Sequence, residues 1–151
     1  DTAFGPDAAC TRAQAVAFLF RYAVASGMDA VTLADLISGF ADAASVPGYA
    51  VSAMNWALAN GIVQGNGGAL MPNNTCTRGQ SVTFLYRALK GTASGSTNFT
   101  DVKSDAFYAD AINWAVANNV TNGTSNTTFS PNADCTRAEI VTFLYRAYQG
   151  K

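Results

Sequence analysis

Histidine is absent from all 151 residues, and glutamate occurs once, at Glu139. The first absence removes Ser-His-Asp and Cys-His catalysis, histidine-ligated metals and imidazole proton shuttles together. The second removes glycoside hydrolysis by two glutamates and leaves only an aspartate pair for such chemistry. No residue pair reads as a nucleophile with its base, so no catalytic residue is assigned and no enzyme is expected. Charge is scarce too: 13% of residues are charged and the net charge is −1, which excludes a generally basic nucleic-acid binder. No apolar run reaches the roughly 18 residues that cross a bilayer, so no membrane insertion is expected. A charged segment leading into an apolar one is also missing, so no signal peptide is expected in these residues. What is present is 49% hydrophobic and 11% aromatic, enough for the packed core of one modest domain. The polar surface falls to Asn, Thr, Ser and Gly, which suits an extracellular protein.

Internal repetition organises the chain. Cys10-Thr11-Arg12-Ala13-Gln14 opens a segment that returns at Cys76-Thr77-Arg78-Gly79-Gln80 and at Cys135-Thr136-Arg137-Ala138-Glu139. A second block, Tyr49-Ala50 through Trp56-Ala57, returns at Tyr108-Ala109 through Trp114-Ala115. A Phe-x-Asp turn precedes each second block, at Phe40–Asp42 and Phe99–Asp101. An apolar-x-Pro step precedes each Cys-Thr-Arg segment, at Phe4–Pro6, Leu70–Pro72 and Phe129–Pro131. Residues 38–91 and 97–151 are thus full repeats joined by a linker at 92–96. Residues 1–37 hold the later half of a first repeat plus an extended join, where Val31–Ile37 is expected to form a short helical turn. All three build one domain. Gly91–Thr97 reads as plain Gly/Ser-rich linker.

Thr11, Thr77 and Thr136 stand where N-caps belong, with Gln14, Gln80 and Glu139 three residues on, the signature of a capping box. In the third copy Ile140, Val141, Phe143, Leu144 and Ala147 form a broad apolar stripe, as Ala109, Ile112, Ala115 and Val116 do on a Trp-bearing helix. Strand signals are poor. The fold class is mainly α.

Several residue sets carry two readings each. The three cysteines sit at the apolar position before each cap, and their odd number forbids complete disulfide pairing. They serve either as small buried staples or as a trigonal thiolate metal site. Arg12, Arg78 and Arg137 take the first helical position, where the helix dipole opposes a cation. Beside free helix N–H groups they form either an oxyanion site or salt bridges to Asp42 and Asp101. Trp56 and Trp114 either pack in the core or stack on a sugar ring. Loops at 64–68 and 122–126 bring small polar groups, but no Gly-Lys-Ser/Thr follows to make a phosphate loop.

In that order these motifs resemble the S-layer homology repeat: Phe99–Val102, Tyr108–Ala115, a Gly-containing loop, Phe129–Pro131 and Thr136–Glu139. The resemblance covers nearly the whole chain, as one half copy and two full copies. It implies a pseudo-threefold helical prism, with the three Thr-Arg helices as a central bundle and short connecting strands or loops. It further implies a non-catalytic module at the bacterial cell surface, cell wall or S-layer, with no cofactor and no metal. Such modules anchor proteins non-covalently to secondary polysaccharide of a Gram-positive-type wall, often through pyruvylated sugars whose carboxylate suits an arginine. The family role of the motif arginine then falls on Arg12, Arg78 and Arg137, with Trp56, Trp114, Asp42, Asp101, Gly65 and Gly123 as groove residues. At most two grooves are expected to be competent, because only the full repeats carry Trp and Asp. The alternative role is a protein–protein assembly module joining other surface-protein chains in a layer or filament.

Four departures from the family pattern matter. Cysteine replaces the usual aliphatic residue before Thr-Arg in all copies. Gln14 and Gln80 replace the glutamate that pairs with arginine, and Gly79 replaces an alanine, weakening its helix start by about 1 kcal/mol. The first Trp-bearing helix is missing, so one groove is expected to lack a wall: either upstream residues or a neighbouring chain supplies that helix, and otherwise an apolar face on the first Thr-Arg helix is expected to promote association.

Overall fold

Three threonines begin three of the five α-helices among the described residues. In each case the hydroxyl accepts the backbone N–H three residues on, and the Gln or Glu there accepts the threonine's own N–H. Reciprocal capping satisfies donors that a helix otherwise leaves open. The computed structural model describes residues 3–31 and 34–150. Its α-helices are α1 (Arg12–Ala25), α2 (Val51–Ala59), α3 (Arg78–Ala88), α4 (Ala109–Ala117) and α5 (Arg137–Gln149). Helices α2 and α4 carry the tryptophans and lack a side-chain cap; α2 is entered instead through a 3-10 turn at Gly48–Ala50. Among the described residues β-structure amounts to isolated bridges such as Ala9 with Thr136 and Thr77 with Asp134. The expected helical turn at Val31–Ile37 falls partly on residues 32 and 33, outside the described residues; a 3-10 turn follows at Ile37–Gly39.

The chain forms two compact units, Thr11–Thr75 and the residues up to Cys10 together with those from Cys76 on. In the first, α1 packs on α2 and Phe20 meets Trp56 edge to face at 5.6 Å. In the second, α3 packs on α4 and Tyr86 meets Trp114 in the same way at 5.7 Å. Each Trp-bearing helix therefore lies on the Thr-Arg helix of the repeat before it. This corrects the expectation of a bare face on the first Thr-Arg helix. There Val16 is fully buried; it is on α5 that Val141, assigned to the core stripe, is 40% exposed.

Two glycine readings also change. Gly91 is not plain linker, because a Cβ there would lie 2.5 Å from the Tyr86 ring and 2.8 Å from the Trp114 indole nitrogen. At Gly79 a Cβ would meet the Tyr108 ring at 2.9 Å and the Pro131 carbonyl at 3.0 Å. The lost helix propensity is therefore offset by close packing.

The second unit is tied by a ring of backbone bonds. Cys10 N–H donates to Cys135 at 2.8 Å, Cys76 to Cys10 at 2.8 Å, and Cys135 to Cys76 at 2.9 Å. All three side chains are fully buried and none is in a disulfide. Among the described residues no three metal-ligating side chains are placed to hold an ion. The cysteines therefore act as packed staples, and the thiolate-site reading is set aside. The Cys76 sulfur lies 3.4 Å from the Ser81 hydroxyl. Burial raises the Cys10 thiol pKa and pushes that of Cys135 up to about 12.

Candidate functional site

The helix N-termini are not open to an anion. The Arg12 and Ala13 amides donate to Asn74 and Pro72, both at 2.9 Å; those of Arg78 and Gly79 donate to Ala133 and Pro131, also at 2.9 Å. Arg137 and Ala138 donate likewise to Ala8 and Pro6 at 3.0 Å. With the third amide taken by the threonine hydroxyl, the first turn of each helix is spent on the fold. The oxyanion site expected there is corrected accordingly.

The motif arginines continue the same docking. Arg12 Nε donates to the Leu70 carbonyl at 2.9 Å, Arg78 Nε to Phe129 at 3.0 Å, and Arg137 Nη1 to Phe4 at 2.7 Å. The opposite edge of two of these segments is held by the aspartates. Asp42 accepts the amides of Leu70 and Met71 at 2.8 and 2.7 Å, and Asp101 those of Phe129 and Ser130 at 2.9 and 2.7 Å. Arginine and aspartate thus clamp one apolar-x-Pro segment from two sides. The Leu70 amide bond is the main cause of a lowered Asp42 pKa, with further help from Met71 and the Arg12 charge.

Arg78 does more. Its Nη1 pairs with Glu139 Oε1, and its guanidinium lies 4.8 Å from the Phe129 ring centre and 5.6 Å from that of Phe143. The other Glu139 oxygen accepts the Thr136 amide at 2.8 Å, so one carboxylate caps its own helix and neutralises the preceding repeat's arginine.

Beside this pair lies an open cavity of about 370 Å³ lined by Arg78, Thr121, Asn122, Gly123, Ala138, Glu139, Thr142, Phe143 and Arg146. Two guanidinium groups and one carboxylate face it. Because Glu139 is already paired with Arg78, the charge left for a ligand is that of Arg146, a match for an anion. Gly123 has φ 84°, and a Cβ there would lie 2.7 Å from the Thr128 carbonyl and 2.8 Å from the Phe99 ring. Gly65, at φ 72°, would meet the Phe40 ring at 2.6 Å. Both glycines admit the phenylalanine of the Phe-x-Asp turn.

The expected residues therefore divide. Arg78 and Gly123 share the cavity, and Asp101 holds the segment behind it. Arg137 is engaged with Phe4, while Arg12, Asp42 and Gly65 build the Thr11–Thr75 unit. The tryptophans leave the site: Trp56 is 1% exposed and Trp114 8%, so neither offers a ring face to a sugar. Arg146, Thr121 and Thr142 were not assigned to the site, and Asn122 entered only as part of the 122–126 loop. Arg146 had a signal, since nine residues from Arg137 places it on the opposite side of α5.

Comparison with known proteins gives the family. Residues 39–80 and 98–141 each match the S-layer homology domain. The chain is 38% identical over 105 residues to the surface-layer 125 kDa protein of Lysinibacillus sphaericus, covering 69% of this chain and 9% of that protein. It is 39% identical over 63 residues to a cell surface protein of Thermoanaerobacter kivui, covering 42% of this chain and 8% of that one. It is also 30% identical to an amylopullulanase of Thermoanaerobacterium thermosulfurigenes, over 96% of this chain but 8% of the enzyme. The chain spans less than a tenth of the length of each of these relatives.

Proposed function

The chain belongs to the S-layer homology family and is a module of the bacterial cell surface, and from that premise we propose that it anchors a larger protein by binding secondary cell-wall polysaccharide. The binding is non-covalent and takes place in the cavity between Arg78, Gly123 and Arg146. One observation carries this reading: an open, polar cavity whose acid is spent on Arg78, leaving Arg146 and small polar groups for an anionic sugar. A carboxylate-bearing sugar, such as a pyruvyl ketal, supplies the matching charge. Asp101 and Arg137 support binding indirectly, by holding the Phe129–Ser130 and Phe4 segments of the same unit.

Retention on purified cell walls, before and after removal of the wall-linked polysaccharide, tests the proposal. Arg78→Ala is unsuitable because it also disturbs the fold, so Arg146→Gln and Asn122→Ala are the informative variants. The expected result is salt-sensitive retention on intact walls, lost on stripped walls and weakened about tenfold by Arg146→Gln. Equal retention of the parent chain and Arg146→Gln overturns the cavity as the site.

A further inference from the structure

Asparagine precedes glycine three times in the chain, at Asn60–Gly61, Asn66–Gly67 and Asn122–Gly123. Glycine bears no Cβ, so its nitrogen is the least hindered backbone group that can close on an asparagine side chain. The structure separates the three pairs. Asn60 Nδ2 donates to the Trp56 carbonyl at 2.9 Å and the Gly61 amide to Leu58 at 3.1 Å, so both partners of a ring closure are held at the end of α2. Asn66 is fixed by exchanging both backbone bonds with Ala69, at 2.8 and 3.0 Å. Asn122 is exposed, and among the described residues its side chain meets no hydrogen-bond partner. The Gly123 amide reaches only the Thr121 hydroxyl, at 3.4 Å, beyond the usual range for such a bond. Backbone bonds of ordinary length stop at Val120, whose N–H donates to Ala115 at 2.8 Å, and resume at Thr124, whose N–H donates to Thr128 at 2.9 Å.

Asn122 also stands where a change of charge is felt. It lines the cavity with Arg146, whose Nη1 lies 3.5 Å from the Val120 carbonyl, two residues away in the same loop. The matching pair in the preceding repeat is Gln64–Gly65; Gly65 and Gly123 have φ of 72° and 84°, each against a phenylalanine ring. Glutamine has one methylene more and closes only a larger, slower-forming ring. Of the two repeats, the third alone carries the reactive pair at this place.

We propose that Asn122–Gly123 is a self-modifying site: spontaneous deamidation installs a carboxylate in the cavity and ends its hold on an anionic ligand. The Gly123 nitrogen bonds to the Asn122 side-chain carbonyl carbon. The bond from that carbon to Nδ2 breaks, and the Gly123 amide proton leaves with Nδ2 as ammonia. Water, the sole co-reactant, then opens the succinimide. Addition at the side-chain carbonyl leaves aspartate at 122; addition at the main-chain carbonyl leaves isoaspartate, with the main chain longer by one methylene. Aspartate at 122 pairs with Arg146 and repels a carboxylate. Isoaspartate also shifts Gly123, which is packed against the Thr128 carbonyl and the Phe99 ring. The loss of grip rests on the cavity being the anion site; the ring closure does not.

Incubation of the whole chain at mildly alkaline pH tests this, with peptide mapping by mass spectrometry and retention on purified cell walls measured on the same samples. Conversion is expected at Asn122 before Asn60 and Asn66. The acidic form, separated by anion exchange, should hold walls about tenfold less tightly than fresh chain, as should an Asn122→Asp variant. Asn122→Gln should gain no acid at this position, and its retention should keep its own starting value throughout. The proposal is overturned by an unconverted Asn122, by earlier conversion at Asn60 or Asn66, or by an acidic form that holds walls as fresh chain does. A decline in Asn122→Gln equal to the parent's overturns it too. Equal retention of the parent and Arg146→Gln is a separate failure: it removes the cavity reading and the loss of grip with it, while the order of conversion is read without walls.

Discussion

Arg78 shows how a residue chosen for its charge spends that charge indoors. Its guanidinium meets a backbone carbonyl, a carboxylate and two aromatic rings while only 4% of the residue is exposed. Arg78→Ala would strand Glu139 without its partner and open a hole beside Phe129. A loss of about 2–4 kcal/mol is expected in urea unfolding. Asp42 gives a pH signature. Its pKa is lowered in the folded protein, so its contribution is present above the unfolded value of about 3.9 and is lost as pH falls through the lower folded value. Carbon-detected NMR titration should place the Asp42 midpoint below that of a model aspartate, and Leu70→Pro, which deletes the donor amide, should move it back up. The cysteines give a third check. With Cys135 raised to about 12 and all three thiols buried, iodoacetamide at pH 8 should leave the native chain unmodified and label three sites in denaturant.

At the scale of elements, capping was fully legible and packing order was not. Thr-x-x-Gln/Glu is a local pattern, and all three boxes form where the spacing puts them. Thr136→Ala should cost about 1 kcal/mol by thermal melting, as loss of a cap does. Which helix covers which is a long-range matter. The Trp-bearing helices lie on the preceding repeat, and a repeat list has no term for that choice. The same blindness made Gly79 look like a weak helix start, when Tyr108 and Pro131 press on it from a later repeat. Gly79→Ala is therefore expected to lower the melting temperature, overpacking of about 1–3 kcal/mol outweighing about 1 kcal/mol of regained propensity. The candidate site was half legible for a related reason. Arg78 and Gly123 stood out by repetition; Thr142 repeats Thr83 and Asn122 opens the 122–126 loop, but only the placement of α5 makes them neighbours at one cavity.

For the molecule, the cysteine ring joins positions that are 66, 59 and 125 residues apart along the chain (76 − 10, 135 − 76 and 135 − 10). Closing it means paying the entropy of long loops before any of its bonds is gained, the condition that makes folding slow. Before residue 135 is made, only the Cys76–Cys10 link of the ring can form. A solenoid can lose its last repeat and keep the rest, because each repeat touches only its neighbours. Here a chain stopped at residue 134 loses two of three links together with α5, the partner of Phe4. A growing chain therefore closes this ring only when its last cysteine arrives, after α3 and α4 are already available to pack on each other.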